Sequence, residues 1–132
     1  MSDIDPTLVE VDRVLRALRP KVELIETTAV ASFEPQPEHR GNAGWLHGGL
    51  AAAVLDHVCA RAAAAALGQR VVTGRLDLRY PQPVLLAQGP YRVEATPEKP
   101  RGRMIRVNGA ILDHSGRPMV EARSLFVTMT NP

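Results

Sequence analysis

The chain has 132 residues, enough for one domain with its own core and no need of disulfides or a structural metal. At 45% apolar and 23% charged it reads as globular, and a single cysteine, Cys59, excludes a disulfide framework and any multi-cysteine zinc site. The formal charge of +2 is scattered, and with Phe33, Trp45, Tyr80, Tyr91 and Phe126 as the only aromatics the chain lacks the basic stripe and stacking platform that nucleic acid asks for.

The elements follow in order. Asp5-Pro6 reads as an N-cap and first helical position, with Leu8, Val11, Leu15 and Leu18 at helical spacing until Pro20: a short amphipathic lead helix. Residues 1–19 show no apolar core behind basic residues, and no run approaches the ~18 uncharged apolar residues of a membrane span. Neither secretion nor membrane insertion is expected, and a cytoplasmic location fits a lone thiol. Val22 to Phe33 is rich in Val, Ile and Thr and reads as one strand, with Thr27, Ala29, Ala31 and Phe33 on a shared face. Pro35, Pro37, Gly41 and Gly44 then form a loop.

A long helix is predicted from Gly48 to Leu67 with Gly68 as its stop, apolar nearly all round and interrupted by Asp56, His57 and Arg61; such a helix must be wrapped. Cys59 within it reads as a buried structural thiol, and His57, turned some 100° from Asp56, as packing. Four strands are predicted after it, at Val71 to Tyr80, Gly89 to Thr96, Arg103 to Leu112 and Met119 to Met129. The last two are joined by a turn at 113–118. Strict alternation places Thr73, Arg75, Asp77 and Arg79 on one face. The sum is α+β, a single domain over 1–132 with an antiparallel sheet curled round one helix.

Chemistry concentrates at Gly44-Trp45-Leu46-His47-Gly48-Gly49. Two glycines at a helix start leave backbone N–H groups approachable, and these donors with the helix dipole favour a developing negative oxygen. Asp56 lies within the apolar helix, where a charge is costly unless it is paired, hydrogen-bonded or in use. Its one candidate cation on the helix, Arg61, is five residues on and poorly aligned. His47 is a candidate base, or a residue that shapes the turn by bonding backbone. His39 and His114 show no metal spacing, so no metal is implied.

The combination His47-Gly48-Gly49, Asp56 seven residues after Gly49, and Thr73 opening a strand that ends Asp77-Leu78-Arg79-Tyr80-x-x-Pro83 resembles the hotdog-fold acyl-CoA thioesterases of the PaaI-like branch, in the 4-hydroxybenzoyl-CoA thioesterase superfamily. The likeness spans about residues 22 to 129. It implies sheets joined side by side in a homodimer, often paired again as a homotetramer, and hydrolysis of acyl-CoA with coenzyme A as part of the substrate and no other cofactor. It implies Gly48 N–H as oxyanion donor, Asp56 as base or nucleophile, and Thr73 as the holder of water or acid. Where many members carry Asn or Gln six residues before the histidine, this chain has Gly41, with Asn42 next.

Substrate contacts are further expected from Asn42, Trp45 and Gly49, and from Arg101 and Arg103, which with Lys99 and Arg106 bracket a Pro/Gly loop where CoA phosphates could lie. The preponderance of arginine over the two lysines, Lys21 and Lys99, suits phosphate but is equally a codon bias. Gly48 and Asp56 are about 12 Å apart along one helix, so a carbonyl that meets both must take them from two chains. A hotdog hydratase or a non-catalytic acyl-CoA sensor are the alternatives on the same fold.

Overall fold

The computed structural model describes residues 16, 18–41 and 44–129. The predicted lead helix and Asn42 lie outside these, apart from Arg16, which is helical, and Leu18, which is buried. The remainder is one helix laid against a six-stranded antiparallel sheet of order β1-β2-β4-β5-β6-β3. The strands are β1 Val22–Ile25, β2 Thr28–Phe33, β3 Val71–Arg79, β4 Tyr91–Pro97, β5 Met104–Leu112 and β6 Pro118–Thr128.

The central helix runs Gly48–Leu67, as its terminal glycines predict. Gly68 closes it in the left-handed region at φ 65°, a conformation that glycine adopts without strain, and its N–H returns to the Ala64 carbonyl. Ala51, Val54, Leu55, Val58, Cys59, Ala62 and Ala63 form the face turned to the sheet. Across from them stand Ala29, Ala31 and Phe33 of β2, Val93 and Ala95 of β4, Ile105, Val107 and Ile111 of β5, and Ala122 and Phe126 of β6, all buried. The alternate residues of these strands face out, so one sheet face is core and the other is wet. The helix is long and apolar enough by composition to cross a membrane, as a core helix also is.

Helix and sheet meet closely at Gly109 of β5. A Cβ there would stand 2.7 Å from the Cys59 Sγ, so only glycine lets the strand approach. Burial pushes the Cys59 thiol up to about 12, against a lesser opposing pull from Ser124, which fits the structural thiol expected from the sequence.

Two expectations need correction. The single strand expected over Val22 to Phe33 is a hairpin, β1 and β2, turning at Glu26 and Thr27 with Glu26 at φ 58°. The usual turn residues are absent there, and a glutamate carries the left-handed position, so the sequence holds no turn signal. The other correction concerns β3 and bears on the site below. The turn at 113–118 is as expected: the Asp113 carboxylate accepts from the Ser115 and Arg117 N–H groups, both at 2.9 Å, and from the Ser115 hydroxyl at 2.7 Å.

Candidate functional site

Two backbone bonds fix the entry to the central helix: Leu46 N–H to the Val84 carbonyl at 2.8 Å and His47 N–H to the His39 carbonyl at 2.9 Å. His47 is the N-cap, with extended backbone. Its Nδ1 accepts from Gly49 N–H at 3.0 Å, and its carbonyl accepts from Leu50 and Ala51 N–H at 3.0 and 3.1 Å. Of the first four helical donors, Gly48 N–H alone has no acceptor among the described residues, and Gly48 is exposed. A bare N–H at the positive end of a 20-residue helix is a site for an oxyanion. His47, with the ring nitrogen nearest the helix engaged as an acceptor, acts here as the cap that shapes the turn.

Tyr80, just beyond β3, donates its hydroxyl to the Gly48 carbonyl at 2.7 Å, and burial pushes the phenol above its ordinary value, so it stays protonated as a donor. Beside this pair lies a cavity of about 340 Å³. Leu46, Ala51, Val84 and Val120 supply its buried lining, while Trp45 and Tyr80, each about half exposed, stand at the mouth with Pro83 and Gln82. Sequence reasoning included Tyr80 in the motif without giving it a role, and it missed Val84 and Val120, which reach the site only through tertiary packing.

Asp56, two helical turns on and half-buried, accepts from the Thr73 hydroxyl at 2.7 Å. Among the described residues the ion pairs recorded are Arg75 with Asp77 and Arg92 with Glu94, and neither involves Asp56. Among the described residues the carboxylate is thus held by one neutral hydroxyl and no cation, which argues against a structural ion pair. The contact depends on an irregularity. Thr73 points to the helix, and Leu76 and Leu78 pack against the core on that same side, although Thr73 and Leu76 are an odd number of residues apart. A register shift between Thr73 and Arg75, with Gly74 as the extra residue, reconciles them. Arg75, Asp77 and Arg79 therefore lie on the outer face, opposite Leu125, Arg123 and Glu121, and not on the face of Thr73 as strict alternation required.

This phase shift is testable. Thr73→Val removes a hydrogen bond to a charged group, a loss of about 1.5–3 kcal/mol, and is expected to lower kcat roughly 10- to 100-fold. Moving the hydroxyl one residue on, in Thr73→Val with Gly74→Thr, does not restore activity if the strand is bulged. Recovery in the double variant, read by kcat with circular dichroism as the fold control, would show a regular strand.

Of the other expected contacts, Gly49 is occupied in the cap. Arg101 is exposed on the tight turn to Met104 and lines a depression of about 190 Å³ with Lys99 and Arg106. Arg103 leans on Thr128, with Nε to the hydroxyl and a terminal nitrogen to the carbonyl, both at 3.3 Å. No cluster of three metal-ligating side chains occurs among the described residues. His39 is fully buried, its Nδ1 accepting from Gln36 N–H at 2.9 Å.

His57 lies beside Asp56 in sequence, but its Nε2 is 3.2 Å from the Pro20 carbonyl. Burial, with Arg61 and Arg19, pushes this imidazole below its ordinary 6.5 against the opposing pull of the Pro20 carbonyl and Asp56. The unfolded chain therefore binds a proton that the folded chain resists, so this contribution to stability is present above pH 6.5 and declines as pH falls toward the depressed folded value. The melting temperature is expected to drop between pH 7.5 and 5.5, and His57→Gln to reduce that drop. An unchanged slope in the variant contradicts the assignment.

Comparison with known proteins identifies the family and the fold. The sequence model of the thioesterase superfamily matches residues 43–120, which include the helix start, Asp56, Thr73 and Tyr80. No protein of curated function matches the chain. Among solved structures, AziG of S. sahachiroi superposes with a TM-score of 0.79 at 22% identity, over 98% of this chain and 100% of that one. PaaI of E. coli, from the phenylacetic acid degradation operon, gives 0.77 at 15% identity over 95% and 90%. A thioesterase of Haemophilus influenzae gives 0.78 at 17% over 98% and 93%. At these identities the structural likeness establishes the fold, while the family match covers more than half of the chain. This hotdog-fold chain therefore belongs to the thioesterase superfamily.

Proposed function

We propose that the protein hydrolyses acyl-CoA thioesters at sites shared between two protomers. Membership of the superfamily supports a thioester hydrolase, and the observation that carries the finer reading is the half-buried Asp56, held among the described residues by Thr73 alone, on the same helix as a Gly48 N–H that has no acceptor among them. The Gly48 N–H polarises the acyl carbonyl, and Asp56 of the facing protomer takes a proton from water as the water oxygen bonds the acyl carbon. The carbon–sulfur bond breaks, and CoA leaves as the thiol with that proton. Asp56 attacking directly is the variant with a covalent anhydride, resolved by the same water. Thr73 keeps the carboxylate aimed. Coenzyme A arrives with the substrate, and the reaction as written calls for no further cofactor.

Two features support the shared site. Gly48 and Asp56 are eight residues apart on an unbroken helix, about 12 Å in rise, beyond the reach of one carbonyl. β3 is a nine-residue sheet edge, mostly exposed and with Val72 46% accessible, and such an edge calls for a cover. A second copy pairing there forms a two-fold dimer and brings each helix start toward the other chain's acid. Arg101, with Lys99 and Arg106, offers charge for the CoA phosphates. The free, buried Cys59 is in keeping with a reducing cytoplasm.

The test is release of free thiol from a panel of acyl-CoA esters by the wild type and by Asp56→Asn. Hydrolysis that the variant loses supports the reading. Absence of hydrolysis with saturable acyl-CoA binding points to a sensor, and addition of water to an enoyl-CoA points to a hydratase; either defeats the proposal.

A further inference from the structure

The cavity beside Gly48 has properties that narrow the substrate, an inference that rests on the thioesterase reading. Its buried lining, Leu46, Ala51, Val84 and Val120, is wholly apolar. Among the described residues the lining side chains with polar groups are Gln82, Trp45 through its indole N–H, and Tyr80, whose hydroxyl is already bonded to the Gly48 carbonyl. Among the described residues no charged side chain lines it. Its walls are tied together: the Leu46 N–H bonds the Val84 carbonyl, Trp45 bridges Leu85, and the Tyr91 hydroxyl both donates to the Leu85 carbonyl at 2.8 Å and accepts from its N–H at 3.1 Å. A cavity braced on two sides by backbone bonds selects by shape.

We infer that this cup receives the acyl end of the substrate between Trp45 and Tyr80, and that it admits apolar acyl groups of moderate size while rejecting acyl groups that end in a carboxylate. The size limit follows from volume: about 340 Å³, at roughly 30 Å³ for a water- or methylene-sized group, holds on the order of ten such groups. The polarity limit follows from the lining. A terminal carboxylate entering the cup exchanges water for aliphatic carbon with no cation among the described lining residues to meet it, a large penalty. Dicarboxylic monothioesters are therefore poor substrates, and simple alkanoyl and ring-bearing acyl groups good ones. The position beside Gly48 N–H lets an acyl chain lie in the cup with its carbonyl at the helix start.

Trp45 is the only tryptophan and stands at the mouth, so it reports occupancy without turnover. The probes are S-hexyl-CoA and S-(5-carboxypentyl)-CoA, thioethers that cannot be hydrolysed, with CoA as the control. S-hexyl-CoA is expected to shift Trp45 emission to the blue, with half-saturation at least tenfold below that of CoA. The carboxylated probe is expected to bind no better than CoA. In Val120→Phe, which fills the cup, the preference for S-hexyl-CoA over CoA should fall at least tenfold; where that variant does not fold, the three-probe comparison on the wild type decides alone. No emission change with S-hexyl-CoA, or equal affinity for the hexyl and carboxypentyl probes, overturns the inference. A Trp45 response without hydrolysis of any ester in the acyl-CoA panel leaves the cup standing and refutes the hydrolase reading. Hydrolysis without a Trp45 response refutes the cup alone.

Discussion

Asp56→Asn is expected to lower kcat for thioester hydrolysis by about 10²- to 10⁴-fold, the range a general base supplies. The substitution is nearly isosteric, and the asparagine carbonyl oxygen can still accept the Thr73 hydroxyl now bonded at 2.7 Å, so the local structure is retained. Stability should move the other way or not at all. The carboxylate is half-buried, has no ion-pair partner among the described residues, and carries a desolvation cost that the amide avoids. A functional group held against the interest of the fold gives this signature, with kcat collapsing while the melting temperature holds or rises. A loss below about tenfold is too small for a base or a nucleophile.

Gly48→Pro is expected to cost about 10²- to 10³-fold, the worth of one oxyanion donor. Proline at the first helical position has its φ set for the helix and lacks only an N–H that has no acceptor among the described residues, so it removes the donor and suits the helix start. The preceding residue, His47, already has the extended conformation that proline imposes on its neighbour, at ψ 132°. Room exists as well: a Cβ at Gly48 would meet the Tyr80 ring at 3.6 Å, an ordinary contact. Gly48→Ala is the control, since it adds that Cβ and keeps the N–H. Loss of kcat in the proline variant with retention in alanine isolates the donor; equal loss in both would trace the effect to crowding of Tyr80.

The central helix was legible to the residue because its ends carry their own chemistry, with paired glycines after a capping histidine at one end and a left-handed glycine at the other. β4, β5 and β6 were legible within one or two residues because one face of each is core and alternation survives. The hairpin at Glu26 was not, because a left-handed glutamate held by its flanking strands leaves no compositional mark. The bulge at Gly74 was hidden for a related reason. Alternation assumes one residue per step, and only the tertiary demands of Thr73 toward Asp56 and of Leu76 toward the core show that a step is doubled.

The site was half legible. Gly48, Asp56 and Thr73 announce themselves by residue type in unexpected places, and the structure joins the last two directly. The cavity lining comes from the Trp45–Ala51 segment, the loop after β3, and Val120 on β6, so no window of sequence contains it. Gly48 N–H stands out, as the first-turn N–H without an acceptor among the described residues, only when the bonds of Gly49, Leu50 and Ala51 are accounted for.

The central claim is that one chain lends the amide and the other the acid. Its most direct measurement mixes Gly48→Pro and Asp56→Asn chains, each nearly inactive, by joint refolding or co-expression. A heterodimer then has one site in which both groups are damaged and one in which both are intact. Random pairing makes half of the dimers mixed, so activity should return to roughly a quarter of the wild type per protomer. Activity that stays at the level of the separate variants, in a sample shown to contain heterodimers, would place both groups within one chain and contradict the account.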